Sequence, residues 1–270
     1  MPFQYLIAPF VIWLAVIGWL WYDVDESWAP WAIPPALILA VLIVSRRQIN
    51  WWYYNTYTPD LDAPIRRLLE TSHVFYKRLF PNEQAEFRKR VLLYVVYHQI
   101  RGMGLDELPN DLRAAVAIKA VTVAFRTEDP LMKAYDPIFI YGHPFPTPKH
   151  NALHTLELDR EDRAIILSAP QLMAGTLNPR SYYDTGLHAF TEAFRHAYPD
   201  HQYPELQPDD WHRLETIGGF VKHKVLAAIG LPENEVPLWP VAAVTWFHFP
   251  DAFLRQWPEM DVSMKKVFEN

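Results

Sequence analysis

The residues whose types and spacing could do chemistry are concentrated in the stretch LHAFTEAFRH, Leu187 to His196. His188 and Glu192 stand four apart, so on a helix they lie one turn from each other on the same side. Two histidines at that spacing, with a glutamate directly after the first, hold a zinc ion and deprotonate its bound water, the H-E-x-x-H arrangement of zinc hydrolases. Here the first histidine position is His188. The glutamate position is Ala189, which has no proton to exchange, and the second histidine position is Glu192, which can still ligate zinc through oxygen. The plainer reading of such a His-x-x-x-Glu pair is a surface pair that steadies its helix by about 0.2–0.5 kcal/mol. His196, a further turn on, cannot share an ion with both, because eight residues span about 12 Å of straight helix. A third ligand must come from elsewhere, and His248 is the candidate, with His212 and Glu215 behind it. His150 and His154 are also four apart, but they fall in a turn and a strand, where helical spacing does not apply.

Composition removes other chemistries. There is no cysteine, so no disulfide, thiolate nucleophile or Cys-based zinc site arises. The net charge is -6, and Arg66, Arg67, Lys77, Arg78, Arg88, Lys89 and Arg90 are interspersed with acids, which is an ordinary solvated face and not a nucleic-acid surface. Gly102 and Gly104 read as cap and turn glycines, not as a phosphate loop.

The elements that must position these residues begin after two apolar runs. Phe3 to Tyr22 is uncharged and of the length a bilayer span requires, about 20 residues. A second run goes from Trp28 to Val44, with Pro30, Pro34 and Pro35 near its start, where proline costs a helix little. Asp23 to Ser27 make a short acidic link, and Arg46 and Arg47 follow the second run at once, which places the rest of the chain in the cytoplasm. Trp19, Trp21, Tyr22, Trp28 and Trp31 cluster at the outer boundary, and Trp51, Trp52, Tyr53 and Tyr54 at the inner one, where amphipathic rings settle. A cleaved signal peptide needs a basic start, and residues 1 to 5 contain no Lys or Arg. A buried core hairpin is the other competing reading.

Beyond a proline-punctuated connector, apolar spacing predicts a helix over 65–80, a second from an Asn82 cap to about Ile100, and a third from an Asn110 cap to about Phe125. From Asp136 to Ser168 the chain turns β-prone, with runs at 138–141, 153–158 and 164–168. Helices follow over 182–198, 209–229, about 240–249 and 258–268, each bounded by Pro or Gly.

Three of these stretches, in order, resemble the Mlc titration factor A family of bacterial zinc metallopeptidases. Leu68 to Ala124 looks like that family's N-terminal helices, Ala164 to Gly175 (AIILSAPQLMAG) is similar to the strand and short helix before its active-site helix, and Pro240 to Met260 (PVAAVTWFHFPDAFLRQWPEM) resembles the end of its catalytic domain. In that family an H-E-F-A-H helix supplies two ligands and the general base, and a later glutamate supplies the third ligand. His188 and Phe190 match, Ala189 and Glu192 depart, and Val244 falls at the third-ligand position, with Thr245 one residue away. Loss of a positioned general base alone costs on the order of 10² to 10⁴ in rate.

The resemblance implies an α+β, mainly helical fold: a zincin-like metallopeptidase domain with a small sheet over residues 55–270, preceded by a transmembrane helical hairpin over 1–54. The expected function is that of a pseudopeptidase, held at the cytoplasmic face of the bacterial inner membrane through residues 3–45. It would bind a protein or peptide in the former substrate groove near Ile165, Ile166, Leu167 and His188, with 164–168 as the pairing strand. The alternative is an active zinc peptidase with altered ligands, His188, Glu192 and His248; no cofactor is expected of the pseudopeptidase, and zinc is the one the altered set would take. An anchor and scaffold with no groove function is the third reading.

Overall fold

A computed structural model describes residues 2–127 and 129–269. The chain divides into two compact units, Met1–Pro59 and Asp60–Asn270. The first holds helix α1 (Pro2–Asp23), a 3-10 segment (Glu26–Ala32), α2 (Ile33–Val44) and α3 (Arg46–Thr56). Asp25 caps the 3-10 segment by accepting the N–H of Ser27. Two stretches, Phe3–Asp23 and Glu26–Val44, are long and apolar enough to cross a membrane. Only 11% and 6% of their most apolar windows is buried, so most of this apolar surface faces outward.

In the second unit the order is α4 (Ala63–Ser72), α5 (Val74–Arg78), α6 (Pro81–Tyr97), β1 (Ile100–Met103), α7 (Asn110–Ala124), β2 (Ile138–Tyr141), β3 (Leu156–Asp159), β4 (Ala164–Ser168), α8 (Ala169–Leu177), α9 (Thr185–Ala197), α10 (Asp210–Gly218), α11 (Lys222–Ile229), α12 (Leu238–His248), α13 (Pro250–Gln256) and α14 (Pro258–Phe268). It is mainly helical with one small mixed sheet. Helix α7 is buried on nearly all sides and forms the spine of the core, packing against α6, α8 and α9.

Several boundaries differ from the sequence expectation for identifiable reasons. The helix expected over 65–80 breaks at His73, whose Nδ1 accepts the N–H of Tyr76 and so caps α5 in place of continued α-helical bonding. Asn82 and Asn110 lie inside their helices and cap neither; α6 is instead started by Pro81, with Glu83 Oε2 taking the N–H of Phe80 at 2.9 Å. The segment after Tyr97 is strand β1, paired parallel to β2, and Gly102 lies within it. A Cβ at Gly102 would stand 3.1 Å from Leu105 Cβ, so the glycine serves the fit of the next turn against the strand. The helix expected over 209–229 is split by Gly219 at φ +71.

The sheet order is β1-β2-β4-β3, with β1, β2 and β4 parallel and β3 antiparallel to β4. This overturns the role given to residues 164–168. Strand β4 pairs on both sides, Ile165 with Ile138 of β2 and with Leu158 of β3, so Ile165, Ile166 and Leu167 offer no free edge. Its nearly unbroken apolar sequence is that of an interior strand. The edge on the α9 side is β3, against which α9 packs.

Candidate functional site

Helix α9 carries His188, Ala189 and Glu192, and its start is set by Asp184. That aspartate is fully buried. Oδ1 accepts the N–H of Leu187 at 2.9 Å, capping the helix, while Oδ2 accepts from Lys119 Nζ at 2.6 Å and from His248 Nε2 at 2.9 Å. Burial pushes the carboxyl up, but the Lys119 ammonium and the His248 imidazole outweigh it and hold Asp184 well below the usual carboxylate range. Thr122, one turn beyond Lys119 on α7, donates to Ile118 O at 2.6 Å and accepts from His73 Nε2 at 3.1 Å. His73 therefore keeps its proton on Nε2 and stays neutral, pushed well down by burial and by the Lys119 and His248 charges.

Two glycines allow these elements to approach. A Cβ on Gly175 of α8 would lie 2.7 Å from Asp184 Cα, and one on Gly186 would lie 2.5 Å from Leu172 Cδ1 and 3.2 Å from Lys119 Cγ. The Lys119 stem thus runs against the first turn of α9 where only a glycine leaves room.

His188 is 1% exposed. Its Nδ1 is 2.7 Å from Tyr183 Oη, and its Nε2 is 4.0 Å from Glu192 Oε2. Burial drives the imidazole down to about 3 against the pull of Asp184, so it is neutral at physiological pH. Glu192 Oε1 receives Arg160 Nη2 at 3.3 Å. Burial raises its carboxyl, and Arg160 opposes that rise only in part. Ala189 and Val244 are both fully buried, so neither position presents a titratable group to this region. Helices α9 and α12 pack directly, with Trp239 Nε1 donating to Thr191 O at 3.3 Å.

The set His188, Glu192 and His248 is not assembled. His188 and Glu192 are adjacent, but His248 is turned to Asp184, which draws it into a buried, charge-assisted pair next to Lys119. Among the described residues, no group of three His, Asp or Glu side chains is arranged to hold a metal ion. A protein zinc site needs three such ligands at about 2.0–2.2 Å. The residues around α9 do not fit one: among the described residues His188 and Glu192 stand together there without a third ligand, and the Arg160 cation already pairs with Glu192. Three further histidines that the sequence singled out have partners of their own. His196 Nδ1 meets Tyr135 Oη at 2.8 Å, His150 pairs with Glu235 at 3.1 Å, and His154 with Glu157 at 3.1 Å. His212 is exposed, and Glu215 accepts the N–H of Lys222 at 2.6 Å.

Glu192 marks where this helix meets solvent. The outer turns of α9 (Glu192, Arg195, His196), Arg160 from the β3–β4 turn, and Pro237, Trp239 and Pro240 at the start of α12 enclose an open cleft of about 470 Å³. A second hollow of about 300 Å³ shares Arg195 and Trp239 with it and adds Tyr203, Glu205, Gln207 and Leu238. Arg195, on the wall between them, lies over the Tyr203 ring at 5.3 Å.

Sequence reasoning missed Lys119, Tyr183, Asp184 and Arg160. Two left a trace. Lys119 is a lone charge in the apolar stretch AAVAIKAVTVA, and Asp184 directly precedes a helical pattern, as an N-cap does. No family model and no curated protein sequence matches the chain.

Proposed function

We propose that this protein is a membrane-anchored, metallopeptidase-like binding protein of the Mlc titration factor A type, whose hydrolytic centre has been filled in. It acts by holding an extended peptide or protein segment at the cleft between Arg160, Glu192, Arg195 and Trp239. One observation carries the reading: of the positions that would perform hydrolysis, His188, Ala189 and Val244 are sealed, while Glu192 is turned to Arg160 at the floor of an open cleft.

The edge strand supports an extended ligand. Ser168 N donates to Thr155 O at 2.8 Å, so in this register Glu157 and Asp159 turn their backbone groups toward β4 and Leu158 turns its own outward. A segment added along β3 would run toward Arg160, directly after the strand, and into the cleft. The apolar helices α1 and α2 serve as the anchor in this reading, and Arg46 and Arg47 directly after them favour a cytoplasmic side of the bacterial inner membrane for residues 60–270.

A second reading has one observation in its favour. A carboxyl whose proton affinity is raised by burial, opening on a cleft, is also how a general acid or base is prepared, and Glu192 answers that description. Elemental analysis and peptide cleavage on the detergent-solubilised chain separate the two. The binding reading expects a crosslinkable peptide ligand whose capture is lost in Arg160→Glu, with neither stoichiometric zinc nor turnover. Cleavage that disappears in Glu192→Gln would overturn it in favour of the enzyme.

A further inference from the structure

In an amphipathic helix, residues at i, i+3, i+4 and i+7 make one stripe, and the apolar stripe ordinarily faces the protein. In α3 large aromatic residues also stand on the outward face. Arg47, Asn50, Trp51 and Tyr54 form the inner stripe, with Asn50 6% exposed, and α3 packs on α1. The outer stripe is Ile49, Trp52, Tyr53 and Thr56: Trp52 is 62% exposed and Tyr53 37%, followed by Tyr57 at 63%. The Tyr53 and Tyr57 rings are 5.3 Å apart, so the aromatic surface is continuous past the end of the helix.

We propose that this outward stripe is seated in the headgroup layer of the membrane, making α3 an interfacial helix and a third lipid contact of the N-terminal unit. The inference rests on the reading of α1 and α2 as membrane spans.

Position argues for lipid as the occupant. Helix α1 is 22 residues long, about 33 Å, and crosses the hydrocarbon layer of about 30 Å unaided. The Arg46 guanidinium lies over the Phe3 ring at 5.5 Å, so α3 begins level with the N-terminal end of α1. Trp52 is six residues from Arg46, at most about 9 Å along the axis, against about 5–7 Å for one headgroup layer, so a helix tilted toward the membrane plane keeps the stripe at that depth. Composition argues the same way. Indole and phenol rings combine an apolar body with a polar tip and collect at this depth, whereas a helix pairing with a second copy within the hydrocarbon would present small or aliphatic residues. The hydroxyl of Thr56 is satisfied by Trp52 O at 3.0 Å, so that residue brings no unpaired donor to this face.

The absence of native cysteine permits a direct test on the full chain. Single substitutions from Ile49→Cys through Thr56→Cys, each carrying a fluorophore, are reconstituted into phosphatidylcholine–phosphatidylglycerol vesicles that contain a nitroxide lipid at headgroup depth. Emission is expected to be lost at 49, 52, 53 and 56 and retained at 50, 51 and 54. If labels at 52 and 53 are quenched by aqueous iodide and not by the lipid, the stripe is solvated and the proposal is wrong. Protection from both quenchers would overturn it in favour of a protein partner or a second copy. Val41→Cys, on the exposed face of α2, separates the proposal from its premise. If its label is quenched by acyl-depth nitroxide while 52 and 53 are not, only the assignment of α3 fails; if it is not quenched, the reading of α1 and α2 as spans fails with it.

Discussion

Replacing Lys119 by methionine keeps the stem and removes the ammonium from beneath α9. Asp184 would retain the His248 and Leu187 hydrogen bonds but lose the cation 2.6 Å from its Oδ2, while remaining fully buried. Stripping one partner from a buried ion pair costs about 3–5 kcal/mol. In a unit of this size that lowers the melting temperature by about 6–20 °C, at about 2–4 °C per kcal/mol. The pH dependence gives the sharper signature. In the native protein the Asp184 carboxyl is held below its unfolded value, so its contribution is full above the unfolded value, about 3.9, and fades as pH falls toward the folded one. Without Lys119, burial dominates and raises the carboxyl, so the variant carries a penalty at neutral pH that acid relieves by protonation. Melting followed by near-ultraviolet circular dichroism from pH 7.5 to 4.5 should show the gap between the two proteins narrowing with acid. Adding Asp184→Asn, which keeps an N-cap acceptor, should recover most of the loss at pH 7.5. A gap under about 1 kcal/mol at pH 7.5, or one that does not shrink on acidification, would refute the claim that this pair organises the start of α9.

Gly186→Ala should destabilise by about 1–3 kcal/mol despite alanine's better helix propensity, because its Cβ would meet Leu172 Cδ1 at 2.5 Å; the change in melting temperature checks the sign. Ala189→Glu, which puts a glutamate directly after His188 as in a zinc hydrolase, should confer no chelator-sensitive cleavage and should cost several kcal/mol by placing a carboxylate where exposure is 0%. Glu192→Gln should raise the melting temperature at pH 7. The folded carboxyl is held above its unfolded value, so its ionisation works against the fold above that value, and the advantage should disappear as pH falls toward 4. His248→Gln, which keeps a donor for Asp184, should be tolerated better than His248→Leu, which leaves Asp184 Oδ2 with Lys119 alone.

Much of the framework could be read from local pattern. The strands at 138–141 and 164–168 and the helix at 258–268 coincide with β2, β4 and α14, since a continuous apolar run or a Pro-bounded helical period is a property of neighbouring residues. The apolar runs at the front, the short acidic link and the arginines that follow are likewise local, and they appear as α1, α2 and the start of α3. Breaks that depended on one side chain were not legible. The period continues through His73, and only its bond to Tyr76 N splits the helix there. Strand β1 was read as a helix end because IRGM takes on strand character only when β2, 38 residues later, lies beside it.

For the site, the types and spacing of His188, Ala189 and Glu192 determined from the sequence alone that an imidazole and a carboxyl stand one helical turn apart with no titratable group at position 189. Only the tertiary structure decided where each neighbour's polar atoms go. It brought Lys119 from 65 residues away to Asp184, turned His248 to the same carboxylate, set Arg160 on Glu192, and placed β4 inside the sheet with β3 at its edge. The physical reason is that a buried charge must find its partner wherever the packed chain supplies one, so such pairings follow the geometry of the core and leave no trace in sequence spacing.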